Sequence, residues 1–319
     1  MNRKKKAIVA AIATALFCGA AQATPIVSAP FSSDYTLVSL LGPTGVTVNY
    51  GGIAFLDSNT LLMGGAANGA AGVIDEVGLT RDSNGHITGF SSVTLHSAAP
   101  FIDGGLAFGP GGVLFFTGYP TNSIGEIKPG STSPDLTVAA SASGVAGSVG
   151  TLAFVPAGFN GSGNLVIGSY NWGTFCTAPL TPDGEVSGTY DLGSCTGNST
   201  TVGGGPEGMV YVPQGSADFA PQTVLISEYG AGKVIEYGID ANGLPTGAGT
   251  DFITGLSGAE GAVIDPVTDD FLFSTFGGNQ IVEVQGFAPP PTAPEPSAFV
   301  LMAGGWAALI ALRRRARRS

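Results

Sequence analysis

Basic residues are scarce throughout the long middle of this 319-residue sequence. Of its 12 Lys and Arg, four lie at residues 3–6 and five at residues 313–318, so only Arg81, Lys128 and Lys233 remain between. Against these three stand 22 of the 23 acidic residues, which gives the middle region a net charge of −19. A surface this acidic repels nucleic acid and favours divalent cations wherever carboxylates converge. Nucleic-acid binding is therefore excluded.

Residues that build common catalytic centres are also few. The two histidines, His86 and His96, cannot form a three-histidine zinc site, and both lie in one polar stretch without acidic neighbours at ligand spacing, which indicates surface residues. The sequence has no Gly-x-Ser-x-Gly elbow, no His-Glu-x-x-His motif and no phosphate-binding loop. We therefore expect a protein without catalytic activity, unless carboxylates act through a bound metal.

The first 23 residues have the layout of a secretory signal peptide, which predicts a signal helix at the N-terminus. A basic region at residues 3–6 precedes an apolar stretch at residues 7–20 and the small-x-small triplet Ala21-Gln22-Ala23. Cleavage after this triplet would leave Thr24 as the first mature residue, so the protein is expected to be exported.

Removal of the signal would leave two of the three cysteines, Cys176 and Cys195. In an exported protein, such a pair predicts one disulfide. The bond would close a loop of about 20 residues and contribute roughly 3 kcal/mol in the chain-entropy account. Two free, buried thiols are the alternative.

The C-terminal end has three parts, a proline-rich linker, an apolar run and a basic tail. The linker, residues 288–296, has five prolines in nine residues and predicts an extended spacer. The apolar run at 297–312 would rise about 24 Å as a helix, marginally enough for a transmembrane segment. The tail at 313–319 would stay in the cytoplasm, with the body outside, because its arginines resist translocation. These arginines are Arg313, Arg314, Arg315, Arg317 and Arg318.

The triplet Pro294-Glu295-Pro296, followed by Ser297, a short apolar helix and a terminal arginine cluster, resembles the PEP-CTERM sorting signal of exported bacterial proteins. The resemblance implies that an exosortase, a membrane protease-transpeptidase, recognises the triplet and processes the protein. The expected destination is the cell surface or extracellular matrix, with exopolysaccharide as a further expected partner. The resemblance covers about 26 residues and implies nothing about residues 24–287.

The body, residues 24–287, is predicted to be all-β because short apolar runs alternate with Gly, Pro, Asn and Asp. A small residue followed by an apolar triplet recurs at 52–55, 105–108, 151–154, 208–211 and 261–264. The intervals of 53, 46, 57 and 53 residues predict a β-propeller of five blades, or of six if the long third unit contains another. Residues 35–40 form a spare strand that we expect to complete the last blade. A β-sandwich, the alternative, does not predict near-constant intervals.

Gly205-Pro206-Glu207-Gly208 and Ala259-Glu260-Gly261 each open a first strand, and they resemble strand starts in the regucalcin-like lactonases and NHL-type propellers. In that family, a glutamate of this kind holds a divalent metal in the central channel, together with Asn and Asp from other blades. The resemblance implies that Glu207, Glu260 and Asp103 hold a divalent metal such as calcium. Asp103 lies one position earlier in its own unit than the glutamates do in theirs.

Two features depart from that pattern. Gly51 and Gly150 stand at the glutamate position of the first and third units, and no Asn or Asp partner can be matched. The alternative interpretation is that acids and glycines at strand starts only make tight turns near the axis.

The sequence therefore predicts an exported, PEP-CTERM-sorted surface or matrix protein. Its non-catalytic propeller would bind or organise other components, in connection with exopolysaccharide or biofilm. The alternative is a metal-dependent hydrolase of the lactonase type that uses Glu207 and Glu260.

Overall fold

The computed structural model describes residues 24–197 and 200–287, which form strands and three short 3₁₀ helices (Phe31–Ser33, Pro110–Gly112 and Ala140–Ser143). The strands, in chain order, are β1 (Ile26–Val27), β2 (Thr36–Leu41), β3 (Ile53–Asp57), β4 (Thr60–Gly65), β5 (Val73–Arg81), β6 (Ile87–Ala98), β7 (Ile102–Phe108), β8 (Leu114–Gly118), β9 (Ser123–Ile127), β10 (Leu136–Ala139), β11 (Val149–Phe154), β12 (Leu165–Ser169), β13 (Phe175–Ala178), β14 (Leu180–Pro182), β15 (Tyr190–Leu192), β16 (Pro206–Tyr211), β17 (Thr223–Glu228), β18 (Lys233–Ile239), β19 (Pro245–Thr254), β20 (Ala259–Ile264), β21 (Phe271–Thr275) and β22 (Gln280–Gln285).

Five antiparallel sheets form the blades of a β-propeller, which confirms the predicted fold class and the count of five. From the axis outwards, blade 1 is β3-β4-β5-β6 and blade 2 is β7-β8-β9-β10. Blade 3 is β11-β12-β13, blade 4 is β16-β17-β18-β19 and blade 5 begins with β20-β21-β22. Each innermost strand contacts the innermost strands beside it, and β20 of the last blade contacts β3 of the first. The innermost strands therefore form a closed ring.

The N-terminal segment supplies the outermost strand of the last blade. Strand β2 pairs along its whole length with β22, from Thr36 opposite Gln285 to Leu41 opposite Gln280. The spare strand predicted at residues 35–40 thus completes blade 5 and joins the two ends of the described chain. The short strand β1 adds a further, fifth strand to blade 4 by pairing with β19. Both pairings cover sheet edges that would otherwise be exposed.

The core is divided among the five interfaces between blades. In β21, Phe271 and Phe273 pack into the cluster shared with blade 4, whereas Leu272 packs into the cluster shared with blade 1. Successive strand residues point to opposite faces. A blade with a neighbour on each side must therefore be apolar at every central position, which explains its continuous apolar runs.

The third blade is the least regular of the five, and its long sequence unit contains an additional hairpin and not a sixth blade. A separate hairpin of β14 and β15 follows its three strands, and one bridge joins Thr177 to Thr196. Cys176 in β13 and Cys195 are bonded in a disulfide, with their Cα atoms 5.5 Å apart. The bond ties the segment after β15 to the third strand of the blade.

The predicted targeting elements lie outside the described residues. These are the signal helix at 1–23, including Ala21 and Ala23, the linker and sorting motif at 288–296, the apolar run at 297–312 and the basic tail at 313–319. Thr24 is the first residue described. Within residues 24–197 and 200–287, no helix has the length and apolar character needed to cross a membrane.

Candidate cation site in the central channel

The innermost strands of blades 2, 4 and 5 each begin with a β-bulge, and each bulge carries an acidic residue. Asp103 lies between Ile102 and Leu106 of β7, where the ladder shifts register. Glu207 lies in the shifted stretch that opens β16, and Glu260 in that of β20. A bulge re-aims a side chain that regular pleating would direct into the space between blades. The three carboxylates therefore reach one place at the axis.

The bulge in β7 is larger, which explains how Asp103 reaches the same place from one position earlier. Three residues lie between the ladder positions Ile102 and Leu106, against one between their partners on β8, so this bulge adds two residues. The bulge in β16 adds only one residue, because two residues there oppose one on β17. The additional residue in β7 offsets the earlier position of Asp103.

The three carboxylates form a compact, buried cluster. Asp103, Glu207 and Glu260 each offer an oxygen, and these oxygens all lie within 4.8 Å of one another. The residues are only 2%, 4% and 1% exposed. In the described part of the chain, Glu207 Oε2 and Glu260 Oε2 have no hydrogen-bond partner. Buried polar atoms are nearly always paired, so these oxygens indicate a missing positive charge or donor.

Glycine makes room for this cluster. A Cβ added to Gly104 would lie 2.7 Å from Glu207 Oε2 and 2.8 Å from Glu260 Oε2, closer than real Cβ contacts. The same two unpartnered oxygens thus lie against the bare backbone of Gly104. Gly150 stands at the glutamate position of blade 3. A Cβ added to it would clash with the Pro206 carbonyl oxygen and would lie 3.0 Å from Glu207 Oε2. Blade 3 therefore has no space for an acidic side chain here.

Burial and mutual repulsion disfavour the charged forms of all three acids. Burial raises the pKa of Asp103 to about 8, against the opposing effect of hydrogen bonds from Asn68 and the Gly104 N–H. Burial, followed by the negative charges of Asp103 and Glu260, raises the pKa of Glu207 well above its ordinary value. Burial and the charge of Asp103 do the same for Glu260. The cluster therefore favours neutralisation, by protons or by a cation.

Asn68 is the fourth oxygen ligand available, and sequence reasoning did not identify it. It follows β4 of blade 1 in a left-handed conformation with φ of 64°, and its N–H donates to the Ile102 carbonyl at 2.9 Å. Its side chain hydrogen-bonds Asp103, while Oδ1 has no partner among the described residues. The one available signal was an Asn-Gly pair directly after a second strand, which indicated only a turn.

The donor set fits a hard divalent cation. Its members are three carboxylates and one amide oxygen, with neither a thiolate nor an imidazole among them. Calcium and magnesium take oxygen ligands of this kind, whereas zinc prefers nitrogen and sulfur. Calcium fits best because it takes six to eight ligands in flexible geometry, and carboxylates on three separate blades do not impose a strict octahedron.

Aromatic side chains line the opening above the carboxylates. The cavity there has a volume of about 180 Å³ and is lined by Asn68, Tyr119, Tyr170, Tyr229 and the three acids. The rings of Tyr170 and Tyr229 lie with their centroids 6.2 Å apart. Burial raises the pKa of both phenols, and the nearby carboxylates raise it further. The cavity beside the three acids is thus bordered by tyrosine rings.

The two histidines are not incidental, which corrects the sequence interpretation. His86 Nδ1 lies 2.5 Å from Asp270 Oδ2, and His96 Nδ1 lies 2.8 Å from Glu76 Oε1. His86 and Asp270 are 184 residues apart in the chain and meet where blade 1 packs against blade 5. Arg81 pairs with Asp265 at the same seam. Closure of the ring creates the contacts of His86 and Arg81, so local spacing could not reveal them, whereas His96 and Glu76 lie on neighbouring strands of blade 1.

No protein-family model and no curated protein matches the chain. Among solved structures, the PQQ domain of pyranose dehydrogenase from Coprinopsis cinerea is 11% identical, with a TM-score of 0.45, over 83% of this chain and 97% of that one. An auxiliary nutrient binding protein from Bacteroides ovatus is 12% identical, with a TM-score of 0.42, over 79% and 76% of the two chains. Virginiamycin B lyase from Staphylococcus aureus is 15% identical, with a TM-score of 0.40, over 79% and 99%.

Proposed function

We propose that this protein is an exported, surface-directed propeller that binds a divalent cation, calcium, in its central channel. The observation that carries the proposal is the convergence of Asp103, Glu207 and Glu260 within 4.8 Å, with buried oxygens that lack partners in the described chain. Three negative charges this close repel one another strongly in a buried place. A cation would relieve that repulsion and join blades 2, 4 and 5 at the axis.

In this proposal the propeller binds a ligand and does not transform it. Tyr170 and Tyr229 line the cavity beside the carboxylates, and aromatic rings there would offer apolar surface to a sugar ring. The bound cation would supply a further attachment point for hydroxyl or carboxylate oxygens. A carbohydrate such as exopolysaccharide has both sugar rings and such oxygens. This ligand class agrees with the sorting signal that we propose at the C-terminus.

Calorimetric titration of the chelator-treated protein with calcium tests the cation site. We expect one saturable site per chain, with much weaker binding of magnesium, because the ligands come from separate blades and do not impose an octahedron. The variant Glu185→Gln, at an exposed acid, should bind calcium like the parent. Lack of saturable binding up to millimolar calcium would contradict the proposal.

The second candidate is a metal-dependent hydrolase of the lactonase type. The observation that favours it is the placement of the three carboxylates in a cavity that is lined by tyrosines and large enough for part of a substrate. A metal held there would supply Lewis-acid chemistry to a substrate in the cavity. Calcium-loaded protein should be assayed against a panel of lactones. Hydrolysis that is lost in Glu207→Gln would favour the enzyme, whereas equal background rates favour the binding function.

We also propose that the triplet Pro294-Glu295-Pro296 directs sorting by an exosortase. In a bacterium that has this enzyme, the parent protein should be processed to a shorter form, since the triplet is the recognition element. Glu295→Ala should accumulate at full length in the membrane fraction, and Pro290→Ala, a change in the linker outside the triplet, should be processed normally. Immunoblots of cell fractions make the comparison. Normal processing of Glu295→Ala would refute the sorting role.

A further inference from the structure

A second cavity lies at the opposite end of the innermost strands, and we call it the apolar funnel. It has a volume of about 680 Å³ and is lined by residues from the ends of all five innermost strands. Each strand contributes the last member of its apolar triplet, and these residues are Phe55, Phe108, Phe154, Tyr211 and Ile264. The volume falls in the range of small-molecule binding sites, about 300–1,000 Å³.

The funnel is separate from the cation site. On β20, Glu260 belongs to the carboxylate cluster and Ile264 lines the funnel. Four residues of extended chain span about 13 Å. The same separation holds on β16, between Glu207 and Tyr211. A ligand in the funnel therefore does not touch the carboxylate cluster, and the two sites can be tested independently.

The wall of the funnel leaves apolar surface uncovered. Phe55, Phe108, Phe154 and Ile264 are only partly buried, although they belong to the innermost strands of a closed ring. The middle triplet residue is alanine in three of the five blades, so the centre is not filled. Apolar surface exposed to water in a concave site is stabilised by an apolar ligand that covers it.

One acidic side chain, that of Asp269, lies in this apolar wall. Asp269 lines the funnel from the loop between β20 and β21, where it has a φ of 60°, and it is only 7% exposed. Its Oδ2 has no hydrogen-bond partner among the described residues. Burial raises the pKa of Asp269 to about 6, and the charges of Asp265 and Asp270 contribute. The group is therefore largely ionised above neutral pH, and no basic side chain within residues 24–197 and 200–287 forms an ion pair with it.

The observations together define the chemistry of a ligand. The wall is largely apolar, Oδ2 of the one acid that lines it has no hydrogen-bond partner among the described residues, and the body around it carries a net charge of −19. An anionic ligand would be repelled, and a neutral one could donate a hydrogen bond to the carboxylate but would not balance its charge. We propose that the apolar funnel binds a small hydrophobic molecule with one cationic amine, which pairs with Asp269 while its apolar part covers the triplet residues.

Displacement of a fluorescent apolar probe tests this site in the purified full chain. N-phenyl-1-naphthylamine is bound first and then displaced by octylamine, octanol or octanoate, which share chain length and differ in charge. Octylamine is expected to displace the probe at the lowest concentration. In Asp269→Asn, octylamine should become about tenfold weaker, as expected for loss of a charge-assisted hydrogen bond, while octanol is unchanged.

Two further variants complete the design. Asp218 is exposed and also has a positive φ, of 61°, so Asp218→Asn repeats the chemical change away from the funnel and should leave every displacement curve unchanged. Ala107 lines the funnel, so Ala107→Phe should abolish saturable probe binding while the melting curve shows a folded protein. Asparagine tolerates a positive φ, so Asp269→Asn should fold.

The results separate this inference from the proposed calcium function. Displacement should be the same with chelator and with calcium, because the two sites lie at opposite ends of the strands. Lack of saturable probe binding, survival of binding in Ala107→Phe, or an unchanged octylamine preference in Asp269→Asn would each overturn the inference. None of these outcomes depends on whether the channel binds calcium.

Discussion

Replacement of Glu207 and Glu260 by glutamine is expected to change stability in opposite directions with and without calcium. In chelator at pH 8, the three acids of the cluster repel one another and are buried, so their ionisation destabilises the folded protein. Glutamine keeps the shape and removes charge. The double variant should therefore melt about 5 °C or more above the parent, since 1 kcal/mol shifts the midpoint of a chain this long by roughly 2–4 °C.

The pH dependence follows from the direction of the pKa shifts. An acid with a raised pKa holds its proton longer in the folded state, so folding takes up protons and stability falls as pH rises through that interval. For Asp103 the interval runs from its ordinary value near 4 to about 8. In chelator, the parent should lose stability between pH 4 and 8, and the double variant should lose less.

In calcium, the parent should melt at a higher temperature than the double variant. The parent gains the free energy of ion binding, about 2.7 kcal/mol when calcium exceeds its dissociation constant 100-fold, and the double variant does not. Glu185→Gln, an exposed acid, should follow the parent under both conditions. If the double variant is destabilised equally with chelator and with calcium, the carboxylates only hold the strands together and the cation proposal fails.

Phe252→Ala is expected to have the largest effect of any single change outside the channel. Phe252 in β19 is fully buried, and its ring contacts those of Phe31, Tyr35, Phe219 and Phe287. This aromatic cluster joins blade 4 to the N-terminal segment that closes blade 5. Truncation would leave a cavity at the closure and cost about 3–5 kcal/mol.

Urea unfolding with a reversible two-state fit measures this loss. Leu95→Ala is the control, because Leu95 is 65% exposed in β6 and should change the free energy of unfolding by less than about 0.5 kcal/mol. A loss below about 1 kcal/mol for Phe252→Ala would mean that the aromatic cluster does not stabilise the ring, contrary to the packing described here.

The sequence predicted the repeating part of the fold because each blade must satisfy the same local rules. The triplets at 52–55, 105–108 and 208–211 fall on the innermost strands β3, β7 and β16. The closing strand was also predictable, since an apolar strand before the first repeat has no partner in its own unit. Strand β1 was not predicted, because its two residues are too few to show the alternation of a strand.

The candidate site was predictable only where its residues mark strand starts. Glu207 and Glu260 stand beside glycines that open a triplet, and this pattern is visible in the sequence. Asp103 was predicted from its place directly before Gly104-Gly105, although the larger bulge that brings it to the axis is not visible in residue spacing. Asn68 was not predicted, because its position depends on a left-handed loop conformation. Nothing in the sequence marked Asp269 as a site residue, because the funnel that it lines exists only when five strands meet.

The most direct test of the central claim is a melting curve of the purified parent protein, first with chelator and then with millimolar calcium. We expect an upward shift of roughly 5–10 °C with calcium, since ion binding of about 3 kcal/mol moves the midpoint by a few degrees per kcal/mol. The shift should be absent in Glu207→Gln. Equal midpoints under both conditions, for the parent protein, would contradict a calcium site at Asp103, Glu207 and Glu260.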